Sequence, residues 1–253
     1  MVLSLKTFLI VCPFLFLAGF VDAIGGGGGL ISLPAYLFAG VPVHAAIATN
    51  KLSSSCGTSL SAARFIRNRL INFKLTLPAV VFAIAGSSLG ARLSLRVSSR
   101  VLQYVLFIVL PVAAFFVLNR HLFPDRSEEG VCLDRRTLVV AVASAFVIGI
   151  YAGFYGPGTG TFLIIAFTVF AKMGVGTANA QAKAINLTTN LTSLIIFLMN
   201  GQVLLRLGLA AALFNMAGNY VGSGLVMTKG TKVVRPIILT VLVLLLIKVM
   251  TGR

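Results

Sequence analysis

The chain has 253 residues, of which 58% are hydrophobic and only 10% charged, and its mean hydropathy is +1.02. A soluble domain carries about 25% charged residues, so this composition excludes an ordinary soluble enzyme or binding module. The net charge of +16 does not indicate a nucleic-acid partner, because the basic residues cluster in short stretches between apolar segments, as in membrane-protein loops. We therefore expect a protein that lies in the lipid bilayer and spans it several times.

The second half of the chain repeats the first half. An offset of 132 residues places 26–117 over 158–249 without a gap, and 23 of the 92 aligned pairs are identical. The matched pairs include Gly26/Gly158, Gly28/Gly160, Lys51/Lys183, Asn68/Asn200, Gly86/Gly218 and Gly90/Gly222. This duplication predicts a first transmembrane repeat (1–118), a polar linker loop (119–136) and a second transmembrane repeat (137–253).

Each copy predicts five helical segments in the same order. A long apolar segment comes first, followed by a glycine-rich break, a short apolar segment, a longer helix rich in polar residues, and two ordinary spans. The short segments are predicted at 30–39 and 161–171, and the polar-rich helices at 44–66 and 177–200. Ten to twelve helical residues cover about half of a ~30 Å hydrocarbon core, so the short segments are predicted half-helices.

The odd number of segments per copy predicts that the two copies are inverted relative to each other. With the basic loop at 64–74 inside, the loops at 120–136 and 229–235 also fall inside and carry most of the loop Lys and Arg residues. Both termini and the loop at 92–100 then lie outside. The predicted fold class is all-α: a polytopic membrane protein of two inverted repeats with broken, glycine-interrupted helices.

Glycine tracts interrupt both copies at equivalent places, 25–29 and 156–160. Glycine costs about 1 kcal/mol and proline about 3 kcal/mol relative to alanine inside a helix. Broken helices in equivalent positions are typical of a transporter site, although glycines for close helix packing are the alternative. We expect the tracts to be non-helical, to face each other across a central cavity, and to bind substrate through Gly26, Gly28, Gly158 and Gly160. We assign Gly86, Gly90, Gly218 and Gly222 to helix packing.

Two lysines, Lys51 and Lys183, lie inside apolar helices at equivalent positions. A cation at membrane depth is costly unless it faces water, a partner or a ligand. We therefore predict that they bind an anionic substrate together with Thr49, Asn50 and Asn186, whose hydroxyl and amide groups can replace a hydration shell. The alternative is that Lys51 extends to the interface or pairs with Asp22.

Asp22 and His44 are the other titratable candidates within the apolar segments. Asp22 precedes the first glycine tract and either neutralises Lys51 or takes up a proton as a coupling residue. His44 begins a helix, where we expect a cap or an interface residue rather than a pH sensor. Neither the three cysteines nor the histidines have metal-ligand or catalytic spacing. We expect no metal, no cofactor and no enzymatic activity.

A set of short motifs distributed over nearly the whole chain resembles one family. The motifs are Gly-Phe-Val-Asp-Ala-Ile-Gly-Gly-Gly-Gly-Gly-Leu (19–30), Pro34, Ala-Thr-Asn-Lys-Leu (48–52), Phe-Ile-Arg (65–67), Gly-Phe-Tyr-Gly-Pro-Gly-Thr-Gly (153–160), Ala182-Lys183, Asn186, Thr-Lys-Gly (228–230) and Arg235-Pro236. Together they resemble the sulfite exporter TauE/SafE family, in its branch of membrane transporter proteins. That family often has a further glycine where Asp22-Ala23 stands, so a role of Asp22 would be particular to this branch.

For this branch the resemblance implies transport but no particular substrate. Because the family is linked to sulfonate, sulfite and related organic anions, and because the two buried lysines favour an anion, we expect a secondary transporter that exports small organic or sulfur-containing anions such as sulfite or sulfonates. The resemblance also implies a multi-pass location in the bacterial inner membrane. An anion channel that uses the same lysines as a permanently open selectivity ring is the alternative.

Overall fold

The computed structural model describes residues 4–118 and 133–229, which form helices and turns without any strand. The helices are α1 (Leu5–Gly25), α2 (Gly29–Phe38), α3 (Val43–Arg67), α4 (Phe73–Arg96), α5 (Ser99–Leu118), α6 (Arg135–Phe154), α7 (Thr159–Val169), α8 (Val175–Met199) and α9 (Leu205–Lys229). Four of them, α1, α4, α6 and α8, are long and apolar enough to cross a membrane. The prediction of an all-α polytopic membrane protein is confirmed.

The order of helices follows the predicted order of segments. The five segments of the first copy are α1 to α5, and the first four segments of the second copy are α6 to α9. The fifth segment of the second copy lies outside the described residues, as do the basic loop after 229 and most of the linker predicted at 119–136. The short helices α2 and α7 have 10 and 11 residues, about half the length that a bilayer core requires.

Capping side chains fix three of the helix starts. Ser4 and Asn72 accept hydrogen bonds from the first turns of α1 and α4. Asp134 does the same for α6, where its Oδ1 accepts from the N–H of Thr137 at 2.8 Å. The hydroxyl and the backbone N–H of Thr137 lower the pKa of Asp134, because both favour the charged carboxylate. These caps satisfy N–H groups that have no partner within the helix.

The bundle buries many polar side chains beside its apolar core and exposes large apolar side chains on its outside. Helices α3 and α8 bury hydroxyl, amide and ammonium groups, at Thr49, Asn50, Lys51, Ser53, Ser55, Thr58 and Ser61 on α3 and at Asn179, Gln181, Lys183, Asn186, Thr189, Asn190 and Ser193 on α8. The outer helices expose large apolar side chains, among them Leu77, Val81, Val139, Val147, Leu209 and Leu213. Such an arrangement suits a bundle surrounded by lipid, with its polar groups turned inward.

Glycines allow the first helix of each copy to pack closely against the fourth helix of the other copy. Helix α1 packs on α9, and α6 packs on α4. A Cβ atom at Gly86 or Gly90 would collide with carbonyl oxygens of α6, and one at Gly218 or Gly222 with carbonyl oxygens of α1. The assignment of these four glycines to helix packing is confirmed.

The most extensive contacts of first-copy helices with second-copy helices have equivalent contacts in which the two copies are interchanged. Helix α3 packs on α9 as α8 packs on α4. In the α1 and α6 contacts, Phe16 and Phe20 correspond to Phe146 and Ile150, an offset of 130 residues (146 − 16 and 150 − 20). Because the offset is 132 from Gly26 and Gly158 onward, the second copy has two more residues than the first between its first helix and the helix break. The inverted orientation of one copy to the other stays a prediction.

Candidate functional site

Two short turns interrupt the helices at the glycine tracts. Helix α1 ends at Gly25 and α2 begins at Gly29, whereas α6 ends at Phe154 and α7 begins at Thr159. The turns are therefore not identical with the predicted tracts, since Gly25, Gly29 and Gly160 are helical. Gly26 (φ 74°) and Gly158 (φ 79°), which are equivalent residues, adopt the left-handed conformation. L-residues with a side chain rarely adopt this conformation, so glycine is required at both positions.

The two turns touch each other directly. A Cβ atom at Gly26 would collide with the backbone of Gly160, and a Cβ atom at Gly29 would lie 2.8 Å from the Cα atom of Pro157. The prediction that the tracts face each other across a cavity is wrong, because residues without side chains let the two backbones come into contact. The first and second copies therefore meet, backbone against backbone, at the breaks in their helices.

The last carbonyl groups of α1 accept hydrogen bonds from the second copy. The amide of Asn179 donates to the carbonyls of Ala23 and Ile24 at 3.2 and 3.1 Å. The hydroxyl of Thr161 donates to the carbonyl of Gly25 at 2.7 Å. Carbonyls at a helix C-terminus have no partner within the helix, and lipid offers none. α7 and α8 thus supply the donors that the broken end of α1 requires.

Lys183 forms an ion pair with Asp22. Its ammonium donates to the carboxylate Oδ2 of Asp22 at 2.7 Å and also to the backbone carbonyl of Asp22. The Lys183 and Asp22 side chains are 1% and 11% exposed, and the hydroxyl of Thr58 lies 3.4 Å from the same carboxylate oxygen. The alternative that Asp22 pairs with Lys51 is wrong. The reason is that α1 ends against α8 of the other copy, so that Lys183 reaches it.

Lys51 has neutral partners. Its ammonium donates to the carbonyl of Ala152 at 2.8 Å and to Oδ1 of Asn190 at 3.0 Å. No carboxylate of the described part of the chain lies within ion-pair distance of it, and the residue is 3% exposed. A Cβ atom at Gly156 would lie 2.6 Å from its Nζ. The ammonium of Lys51 thus lies buried beside the turn that leads into α7, and no counter-charge accompanies it within residues 4–118 and 133–229.

The two lysines lie among equivalent residues, but only one of them has a carboxylate as a hydrogen-bond partner. Lys51 and Lys183 are equivalent, as are Thr58 and Asn190, both at an offset of 132. Ala152 and Asp22 are equivalent at the offset of 130 that holds for α1 and α6. Each lysine donates to a backbone carbonyl on the broken first helix of the other copy, Lys51 to Ala152 and Lys183 to Asp22, and these two carbonyls are equivalent. Lys183 has the carboxylate of Asp22 as a partner, whereas the partners of Lys51 in the described residues are neutral oxygens.

A model of the sulfite exporter TauE/SafE family matches residues 11–249. The chain belongs to the TauE/SafE family. It is similar to the "Probable membrane transporter protein ORF9" of a Sinorhizobium species, with 34% identity over 249 residues, 98% of this chain and 93% of that protein. It is 32% identical to a "Probable membrane transporter protein" of Haemophilus influenzae (88% and 86% covered). It is 34% identical to the "Probable membrane transporter protein YfcA" of Escherichia coli K12 (89% and 82% covered). No solved structure matches the chain.

Among the other residues predicted to bind substrate in this TauE/SafE protein, Thr49 bonds to the start of a helix, and Asn50, Asn186 and Gly28 are buried. The hydroxyl of Thr49 accepts from the N–H of Leu204, just before α9, at 3.0 Å. Its equivalent, Gln181, accepts from the N–H of Asn72 just before α4 at 3.1 Å. Both side chains therefore fix the start of a helix. Asn50 and Asn186 are buried on α3 and α8 at 7% and 5% exposure, and Gly28 packs against the Cβ of Asp22.

His44 joins α3 to the turn between α4 and α5. Its Nε2 lies 3.2 and 3.0 Å from the carbonyls of Ser94 and Val97, and its Nδ1 lies 3.1 Å from the hydroxyl of Ser99. The expectation of an interface residue is confirmed. Within residues 4–118 and 133–229, no three His, Cys, Asp or Glu side chains gather as a metal site would require.

Proposed function

We propose that this TauE/SafE protein is a secondary transporter that exports small organic or sulfur-containing anions, such as sulfite or sulfonates. Membrane transport follows from the family, and the substrate class is inferred from one observation. Lys51 is a buried cation whose two hydrogen-bond partners are neutral oxygens. An uncompensated charge at membrane depth is expensive, and a transported anion would supply the missing counter-charge.

The surroundings of Lys51 offer further donors to an anion. An ammonium has three N–H donors, and two of them bind Ala152 and Asn190. The amide nitrogen of Asn190 can donate to the same anion. Helix α7 begins at Thr159, three residues after Gly156, and the positive end of its helix dipole favours negative charge there. Asn50, Asn186, Gly26, Gly28 and Gly160 complete the proposed substrate region, and Lys183 joins it only when Asp22 releases its ammonium.

The contacts between the copies suggest how the site could open. Each buried lysine joins a helix of its own copy to the broken helix of the other copy. In an inverted repeat, rocking one copy against the other would break these contacts on one side and keep them on the other. We therefore propose alternating access, in a protein that spans the bacterial inner membrane several times. Asp22 is the candidate coupling residue, because its protonation would release Lys183.

Anion flux in proteoliposomes tests this function against an anion channel. A carrier should show saturable uptake of radiolabelled sulfite, and unlabelled sulfite loaded inside should accelerate entry of the label by counterflow. A channel with the same lysines would give flux without counterflow. Export predicts that inside-out membrane vesicles accumulate the anion. Absence of any anion flux from a folded, monodisperse protein would overturn the proposed substrate class.

A further inference from the structure

We infer that the carboxylate of Asp22 takes the place of a transported anion at Lys183, so that the protein has one anion site, at Lys51, instead of the two that its duplication would provide. The inference rests on the proposed function and deepens it. It concerns the number of anions bound by each chain and the residue that sets this number.

The first hydrogen-bond partner of each lysine is the same in both copies. Lys51 donates to the carbonyl of Ala152 and Lys183 to the carbonyl of Asp22. These carbonyls are equivalent and lie at the ends of α6 and α1. The duplicated framework therefore places both ammonium groups in the same way, and it gives no reason by itself for the two positions to differ in anion binding.

The second partner differs between the copies. Lys183 has the carboxylate of Asp22 at 2.7 Å, from the residue that also supplies its carbonyl. Lys51 has the neutral amide oxygen of Asn190 at 3.0 Å, because the methyl group of Ala152 offers no oxygen. An anion gains little from a lysine that a carboxylate has already neutralised, whereas it gains a charge-assisted hydrogen bond at Lys51.

The packing around Asp22 agrees with a fixed internal anion. Gly28, just before α2, lies so close that a Cβ atom there would be 2.6 Å from the Cβ of Asp22. The carboxylate also receives the hydroxyl of Thr58. Asp22 thus lies between Lys183 and the start of α2. The equivalent position in the other copy, between Lys51 and the start of α7, is the one that we assign to the substrate.

One uncompensated lysine balances one negative charge, and this sets the design of the binding test. The probe is sulfite or methanesulfonate, whichever stabilises the wild-type protein more in a thermal-shift titration. Equilibrium dialysis of the purified full chain with the radiolabelled probe then gives the number bound per chain. The wild type should bind one.

Moving the carboxylate should move the site. The carboxylate introduced by Ala152→Asp should pair with Lys51 and weaken anion binding at least tenfold. Ala152→Asn introduces a side chain of the same size as Asp but without charge, and it should weaken anion binding far less. Asp22→Ala should raise the number bound from one to two. The double variant Asp22→Ala/Ala152→Asp should again bind one anion, and this binding should be lost on replacing Lys183 by Gln but not on replacing Lys51.

The outcomes separate this inference from the proposed function. A wild type that binds neither probe overturns both. Wild-type binding that persists unchanged in Ala152→Asp, or a double variant that still depends on Lys51, overturns the inference alone. Two anions bound by the wild type would also overturn it. If Asp22→Ala does not fold, the Ala152→Asp and Ala152→Asn pair still decides, because Ala152→Asp adds an ion pair and removes none.

Discussion

Replacing the two buried lysines by glutamine should affect stability very differently, although the two positions are equivalent in sequence. Lys183→Gln leaves the carboxylate of Asp22, 11% exposed, with the hydroxyl of Thr58 at 3.4 Å as the remaining side-chain donor in the described part of the chain. Removing one partner of a buried ion pair costs about 3–5 kcal/mol, because the other charge stays buried without compensation. We expect the free energy of unfolding to fall by this amount.

Lys51→Gln removes a cation that binds two neutral oxygens. The loss of two charge-assisted hydrogen bonds, about 1.5–3 kcal/mol each, is opposed by relief of the desolvation of the ammonium, which is several kcal/mol. No unpaired charge is left behind. We therefore expect a net loss of about 2 kcal/mol or less, below the loss for Lys183→Gln.

Reversible unfolding in mixed micelles of dodecylmaltoside and SDS can measure both losses. The double variant Asp22→Asn/Lys183→Gln removes both charges and should recover about 2 kcal/mol of the loss seen in Lys183→Gln. The stability losses of mutations at independent sites add to within about 0.5 kcal/mol. A recovery of about 2 kcal/mol would therefore show that Asp22 and Lys183 interact. Equal losses for the two lysine variants, or additive effects of Asp22→Asn and Lys183→Gln, would refute the assigned ion pair.

Three further predictions concern the glycine turn, the helix cap and the repeat. Gly26→Ala should not elute as a monodisperse peak in size-exclusion chromatography, because its Cβ would collide with the backbone of Gly160. Gly40→Ala also has a positive φ but open space around its Cβ, so its free energy of unfolding should fall only by the left-handed strain of about 1–2 kcal/mol. Thr49→Val should lower the melting temperature, because loss of the hydrogen bond to Leu204 reduces the free energy of unfolding by about 1 kcal/mol. The anion affinity in binding titrations should not change. In a cysteine-free background, Asn68→Cys and Asn200→Cys, which are equivalent and exposed, should react with impermeant maleimide from opposite sides of the membrane; labelling from the same side would contradict an inverted repeat.

The helices and the repeat were predictable from the sequence because both depend on patterns along the chain. The polar-rich helix predicted at 44–66 is Val43–Arg67, and the one predicted at 177–200 is Val175–Met199. Long apolar or mixed segments bounded by prolines, glycines and basic residues leave little choice other than membrane helices. Similarly, the ungapped offset identified Lys51 and Lys183 as equivalent.

The partners of those lysines could not be predicted in this way. Nearness in sequence favoured Asp22 as the partner of Lys51, in the same copy, but each lysine crosses to the broken helix of the other copy. That crossing is a property of tertiary packing and leaves no local pattern. Asn179 was missed for a related reason, since Ile47 stands at its equivalent position. The carbonyls at the end of α1 required donors, but nothing in the sequence says which residue supplies them.

Counterflow of radiolabelled sulfite in proteoliposomes measures whether Lys51 binds the transported anion. Lys51→Gln is compared with Lys74→Gln, in which an exposed lysine makes the same change in net charge. At sulfite concentrations below saturation, Lys51→Gln should reduce counterflow at least tenfold, since a charge-assisted contact of about 1.5–3 kcal/mol corresponds to one to two decades in affinity. Lys74→Gln should keep the wild-type rate. A wild-type rate in Lys51→Gln, in protein that is folded and reconstituted to the same level, would show that Lys51 does not bind the transported anion.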